Sequence, residues 1–177
     1  MSNQFNSKLK LLISEEEIKA KIKEYAKKIE SNYKNKNLLV VGLLNGSFIF
    51  TADLVREINI PIEIDFISCS SYQGQKSTGI VNIYKGLRTK NLKNKSILLV
   101  EDILDTGTTI INIYNYLLDK NAKEIKILTL LDKKEKHLKF DIDYDSLFEV
   151  EDNFLIGYGI DLDEKYRNLK SVYTYKN

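Results

Sequence analysis

Three continuous apolar runs, at residues 38–44, 96–100 and 125–131, constrain this chain more than any other feature of its sequence. Apolar residues without alternation belong to strands covered on both faces, and strands of that kind build parallel sheets with helices on either side. The intervening residues supply the helices. Ser14 followed by Glu15, Glu16 and Glu17, with Ile18, Ile22, Tyr25, Ala26 and Ile29 behind, reads as an N-capped amphipathic helix. Residues 48–58 return to helical period and stop at Asn59-Ile60-Pro61, after which residues 62–67 alternate as a strand does. Residues 108–119 give a further helix. The expected class is α/β, a doubly wound and mostly parallel sheet flanked by helices.

Ligands of such sheets bind beyond the carboxyl ends of the strands, which directs attention to loops at 44–47, 101–109 and 132–137. Between residues 70 and 95 the chain is polar, with glycines at 74, 79 and 86 and an alternating piece at 79–84; it reads as a long mobile loop or hairpin. At 177 residues one domain spanning 1–177 is expected. With 27 basic and 25 acidic side chains mixed along its length, the chain shows no broad electrostatic footprint for nucleic acid. Cys69 is the only cysteine, so neither a disulfide framework nor a thiolate metal site can form within one chain, and core packing is its expected role. His137 is the only histidine and cannot make a metal cluster alone. The polar start and the lack of an apolar run near ~20 residues lead to the expectation of a cytoplasmic protein.

The chemistry concentrates in Val100-Glu101-Asp102-Ile103-Leu104-Asp105-Thr106-Gly107-Thr108-Thr109, which puts three carboxylates and three hydroxyls where a buried strand gives way to a helix. Glu101 and Asp102 repel each other unless a cation or a hydroxyl-bearing ligand lies between them, which suggests Mg²⁺ or vicinal ribose hydroxyls. Thr106 to Thr109 gather backbone N–H groups at a helix N-terminus, suited to a phosphate, and Gly107 is free to take positive φ.

This decapeptide is similar to the phosphoribosyl pyrophosphate motif, and the chain resembles the type I phosphoribosyltransferases, among them the bacterial hypoxanthine-guanine enzymes. The order of motifs is matched by Gly42-Leu43-Leu44-Asn45-Gly46-Ser47-Phe48, Ser71-Tyr72, Leu130-Leu131-Asp132-Lys133, and Phe154-Leu155-Ile156-Gly157-Tyr158-Gly159-Ile160-Asp161 with Tyr166-Arg167 behind it. The resemblance implies the type I phosphoribosyltransferase fold with a small hood, drawn from about residues 1–13 and 148–177, and a mobile loop at about 70–86. It implies purine salvage, in which 5-phosphoribosyl passes from phosphoribosyl pyrophosphate to N9 of a 6-oxopurine, giving IMP or GMP and pyrophosphate with Mg²⁺ as cofactor. A homodimer or homotetramer is implied as well.

By the same resemblance Asp105 accepts the proton facing N7 of the purine. Glu101 and Asp102 hold ribose hydroxyls and metal, Asp161 adds a metal or base contact, and Thr106, Gly107, Thr108 and Thr109 bind the 5′-phosphate. Asn45, Gly46 and Arg167 fall at the pyrophosphate, where many relatives carry Lys or Arg in place of Asn45, and the peptide bond entering Asn45 can be cis. Lys133 donates to the purine O6, Phe154 stacks on the ring, Leu155 reads the base edge through its backbone, and Ser71 and Tyr72 close over the site. An ammonium carries donors only, so Lys133 suits a 6-oxo group and meets the 6-amino group of adenine unfavourably. Two alternatives are a nucleotide-sensing regulator that binds nucleic acid, disfavoured by the charge balance and by the 37 residues before the first strand, and a xanthine-guanine enzyme.

Overall fold

The three apolar runs form central strands of a six-stranded sheet. The computed structural model describes residues 8–73, 76–136 and 142–176, with the backbone alone between 70 and 80. In chain order the elements are β1 (Leu9–Ile13), α1 (Glu15–Tyr33), β2 (Leu38–Leu44), α2 (Phe48–Glu57), β3 (Glu63–Gln73), β4 (Lys76–Lys85), β5 (Ser96–Leu104), α3 (Thr108–Leu118), β6 (Glu124–Asp132), β7 (Tyr144–Glu149), β8 (Leu155–Ile156) and β9 (Val172–Tyr175). The main sheet runs β4-β3-β2-β5-β6-β7. All its neighbours pair in parallel except the antiparallel β3–β4 pair.

Strand residues alternate between two cores. Leu38, Val40, Leu98, Val100 and Leu128 pack with Ile18, Ile22, Ala26 and Ile29 of α1 and with Phe50 and Leu54 of α2. Leu39, Val41, Ile97, Leu99 and Ile127 face the other way, against Ile110, Ile113 and Leu117 of α3. The sheet is therefore covered on both sides, which is why its central strands need unbroken apolar sequence. Helix α1 starts where the sequence indicates: Ser14 Oγ accepts from Glu17 N, and the Glu17 carboxylate accepts from Ser14 N at 2.8 Å.

A second, three-stranded antiparallel sheet has the order β1-β9-β8. It is tied to the main body by the Tyr158 hydroxyl, which donates to Asp53 Oδ2 at 2.8 Å, and by Glu15 N, which donates to Ser171 Oγ at 3.0 Å.

Two features differ from the sequence reading. Strand β5 runs on through Glu101 and Asp102 to Leu104, so the acid pair lies in a strand and not in a loop. The reason is β6, whose pairing continues to Leu104↔Asp132, while pairing with β2 stops at Gly42↔Val100. Residues 148 and 149 belong to β7 at the edge of the main sheet, paired with Leu131 and Asp132, so the small sheet takes its later strands from Leu155 onward. The glycine-rich stretch forms the β3–β4 hairpin over most of its length, of which residues 74 and 75 lie outside the described residues, as does His137.

Candidate active site

Where β5 outruns β2, its free edge borders a cavity of about 310 Å³. The walls come from Leu43 to Gly46 at the end of β2, Glu101 to Gly107 at the end of β5, Thr109 and Ile110 of α3, and Asp161 and Arg167 from the segment after β8. Cys69 also lines it, its thiol pushed up to about 11 by burial and by the Glu101 charge.

The acid pair is packed tightly into this wall. Asp102 is buried, and a Cβ added to Gly46 would come within 1.8 Å of its Oδ2, so that carboxylate lies directly on the Gly46 backbone. Burial raises the Asp102 carboxyl, although hydrogen bonds from Glu101 and from the backbone amides of Asp102 and Ile103 oppose the shift. Glu101 is held well above the usual carboxylate range, first by burial, then by the charge of Asp102 and the hydrogen bond between the two. Its Oε2 is buried without a hydrogen-bond partner. A raised carboxyl stabilises the fold only while protonated, so this contribution is complete below the unfolded value of 4.5 and fades as pH rises through the folded one.

At the end of β5, Asp105 meets a cation. Lys136 Nζ lies 3.2 Å from its Oδ1, an atom otherwise buried without a hydrogen bond. Beyond it Gly107 caps α3 with φ 81°, the positive value expected of it, and Thr106 Oγ1 accepts from Thr108 N at 3.4 Å. Thr106, Gly107, Thr109 and Ile110 of this turn line the cavity, and the first N–H groups of a helix have no partner within the helix, which suits them to an anion. The peptide bond Leu44-Asn45 is cis.

Arg167 closes the opposite wall. Its Nη1 donates to Gly159 O at 2.8 Å, and its Nη2 pairs with Asp161 Oδ1 at 2.9 Å and Glu164 Oε2 at 3.0 Å. Glu101, Asp102 and Asp161 thus line one cavity, Asp161 paired with Arg167, and among the described residues no three carboxylates gather as a metal cage. Thr108 is not among the residues that line the cavity.

Of the residues expected to contact the base, Asp161 lines this cavity, whereas Lys133, Phe154 and Leu155 lie outside it. Lys133 follows β6 with its backbone N donating to Leu104 O at 3.0 Å, and its buried side chain donates to Asp152 Oδ1 at 2.8 Å. Phe154 is 49% exposed and meets the edge of Tyr175, with ring centroids 6.1 Å apart. Leu155 is buried in β8, with its backbone paired to Thr174. The side chains of Ser71 and Tyr72 are outside the described residues. Lys136 and Asp152 were not signalled by the sequence: the first sits in a lysine-rich turn that reads as solvated, the second in an unremarkable acidic stretch.

A strand carrying Glu101 and Asp102, Asp105 just beyond its end and a helix headed by Gly107 border one cavity, and the chain belongs to the phosphoribosyltransferase family, whose phosphoribosyl transferase domain matches residues 12–165. Within that family its relatives are hypoxanthine-guanine phosphoribosyltransferases. The chain is 50% identical to that enzyme of Aquifex aeolicus over 169 residues, 94% of each chain, and 43% identical to that of Bacillus subtilis over 92% of this chain and 91% of the relative. The crystal structure of a hypoxanthine phosphoribosyltransferase from Staphylococcus aureus superposes with a TM-score of 0.91 at 37% identity, covering 99% of this chain and 96% of that one. A Trypanosoma cruzi hypoxanthine phosphoribosyltransferase in complex with its product IMP superposes at 0.85 with 36% identity, over 94% and 93% of the two chains.

Proposed function

We propose that this chain is a hypoxanthine-guanine phosphoribosyltransferase of purine salvage, transferring 5-phosphoribosyl from phosphoribosyl pyrophosphate to N9 of a 6-oxopurine and releasing IMP or GMP and pyrophosphate. The observation that carries the reading is the meeting, in one cavity, of Glu101-Asp102, Asp105 and the N-terminal turn of α3 with the Asn45-Gly46 backbone.

The N9–C1′ bond forms as the bond from C1′ to the pyrophosphate oxygen breaks, and the purine gives up one proton. Asp105 takes that proton on the N7 side. Thr106, Gly107, Thr108 and Thr109 bind the 5′-phosphate through backbone amides and hydroxyls, which fixes the ribose for in-line displacement. Asn45 carries no charge, so the backbone amides at Asn45 and Gly46, with Arg167, are the donors for the leaving pyrophosphate. Lys133 donates to O6, Phe154 stacks on the ring, and the Leu155 backbone reads the base edge, with Asp161 in reach of metal or base. Ser71 and Tyr72 close over the site and keep water from the activated sugar.

Mg²⁺ fits this donor set: all ligands are oxygens, and Glu101 Oε2 is a buried acceptor without a partner. Few protein ligands are needed, because Mg²⁺ is ordinarily held by one or two carboxylates plus substrate phosphates. Glu101 and Asp102 would hold it, and it would supply charge neutralisation for the pyrophosphate. No helix among the described residues is long and apolar enough to cross a membrane. The likeness to the family is the ground for proposing a cytoplasmic homodimer or homotetramer.

Incubation with hypoxanthine, phosphoribosyl pyrophosphate and Mg²⁺ is expected to give IMP and pyrophosphate in equal amounts, with turnover lost on chelation by EDTA and restored by excess Mg²⁺. Hydrolysis of the sugar donor without nucleotide, or turnover indifferent to EDTA, would count against the reading.

A further inference from the structure

Four charged side chains alternate in sign along one edge of the site. Asp105 lies 3.2 Å from Lys136 Nζ, Lys136 lies 3.1 Å from Asp152 Oδ1, and the same Asp152 oxygen lies 2.8 Å from Lys133 Nζ. The ends of the row are the two groups proposed to face the purine, Asp105 at N7 and Lys133 at O6. The middle pair has no part in the chemistry described above.

We infer that Asp152 is a positioning residue for purine recognition: it fixes the Lys133 ammonium where O6 arrives and couples it through Lys136 to Asp105. This rests on the reading of Lys133 given above. An ammonium on a flexible four-carbon stem is a point donor that must be held at its tip before it can discriminate between bases. The root of Lys133 is already fixed, because its backbone N donates to Leu104 O. The tip is fixed by Asp152, the carboxylate that pairs with it among the described residues.

The backbone delivers Asp152 to this place. Val150 N donates to Asp132 O at 2.9 Å, which lays the segment after β7 along the end of β6, and Lys136 N donates to Lys133 O at 2.9 Å, which folds the lysine turn back on itself. Lys133 is 9% exposed at its side chain, so without Asp152 it becomes a buried cation lacking a counter-charge, a state that favours its swinging out toward water. Both lysines in turn hold the Asp152 carboxyl below the usual carboxylate range. An ammonium has three donors, so Lys133 can keep its bond to Asp152 while giving a second to O6.

The test is steady-state kinetics of the full chain carrying Asp152→Ala, Asp152→Asn, Asp152→Glu or Lys133→Ala, with each substrate varied at saturation of the other. Asp152→Ala is expected to raise KM for hypoxanthine about tenfold, the scale of losing one charge-assisted contact, while kcat and KM for phosphoribosyl pyrophosphate stay within about twofold. Asp152→Glu keeps the carboxylate and should recover most of that loss. The Asp152 side chain is 53% exposed, so folding should survive, and Asp152→Asn gives the same readout with an isosteric side chain. An unchanged hypoxanthine KM in the Asp152 variants beside a raised one in Lys133→Ala would overturn the inference and leave Lys133 as the O6 reader. Unchanged values in both would overturn the role of Lys133 itself. Equal rises in KM for both substrates would show general damage and would also overturn the inference.

Discussion

Asp105→Asn is expected to lower kcat for IMP formation by about 10²- to 10⁴-fold, the usual contribution of a positioned general base. The amide occupies the same volume and can still accept a hydrogen bond, but it cannot take a proton from the purine. Little else should change. The turn from Thr106 to Thr109 keeps its backbone, Gly107 keeps its positive φ at the head of α3, and the Glu101-Asp102 pair is untouched. Binding of phosphoribosyl pyrophosphate, followed by calorimetric titration, should therefore stay near that of the parent chain. Lys136 loses an ionic partner at 3.2 Å but keeps Asp152 at 3.1 Å, so the local charge balance is altered rather than abolished. Full turnover in the variant would show that the proton leaves the purine by another route.

Gly159→Ala should cost about 2–4 kcal/mol of stability and lower Tm by roughly 5–15 °C in a thermal melt, through backbone strain and a forced shift of the chain. Gly159 has φ 101°, where an L side chain is strained, and a Cβ there would lie 2.0 Å from the carbonyl oxygen of Gly46. Neither atom can swing aside, since the oxygen belongs to the backbone and a Cβ is fixed to its Cα. The segment after β8 must move off the Asn45-Gly46 loop, and Arg167, which donates to Gly159 O, must move with it. Two elements proposed for the pyrophosphate are thus disturbed by one methyl group. In protein that still folds, KM for phosphoribosyl pyrophosphate should rise more than KM for hypoxanthine. A variant with parental Tm and parental kinetics would show that this contact is looser than the geometry indicates.

The parts of the molecule legible in its sequence are those where a single segment carries its own reason. Strands buried on both faces announce themselves by unbroken apolar runs, and α1 by Ser14 and Glu17 three residues apart. The segment from Val100 to Thr109 was legible because acids, glycine and threonines are consecutive there. Strand β7 was not, since YDSLFE lies at a sheet edge and its residues are only partly covered, which leaves no continuous apolar pattern to read. The extension of β5 through Glu101 and Asp102 escaped because carboxylates look like loop, and only the partner strand β6 keeps them in register. Lys136 and Asp152 escaped for a different reason: their meaning lies in a contact between residues 16 positions apart, which composition and periodicity do not encode.

The donor site proposed at the end of β5 is expected to serve a 6-oxopurine. Initial rates with hypoxanthine, guanine, xanthine and adenine at saturating phosphoribosyl pyrophosphate test it most directly. Hypoxanthine and guanine should give the highest rates, and adenine should fall below them by about 10²-fold or more, because the donor-only Lys133 proposed for O6 would face an amino group in place of a carbonyl. A best rate with adenine would contradict both the 6-oxopurine preference and the role proposed for Lys133.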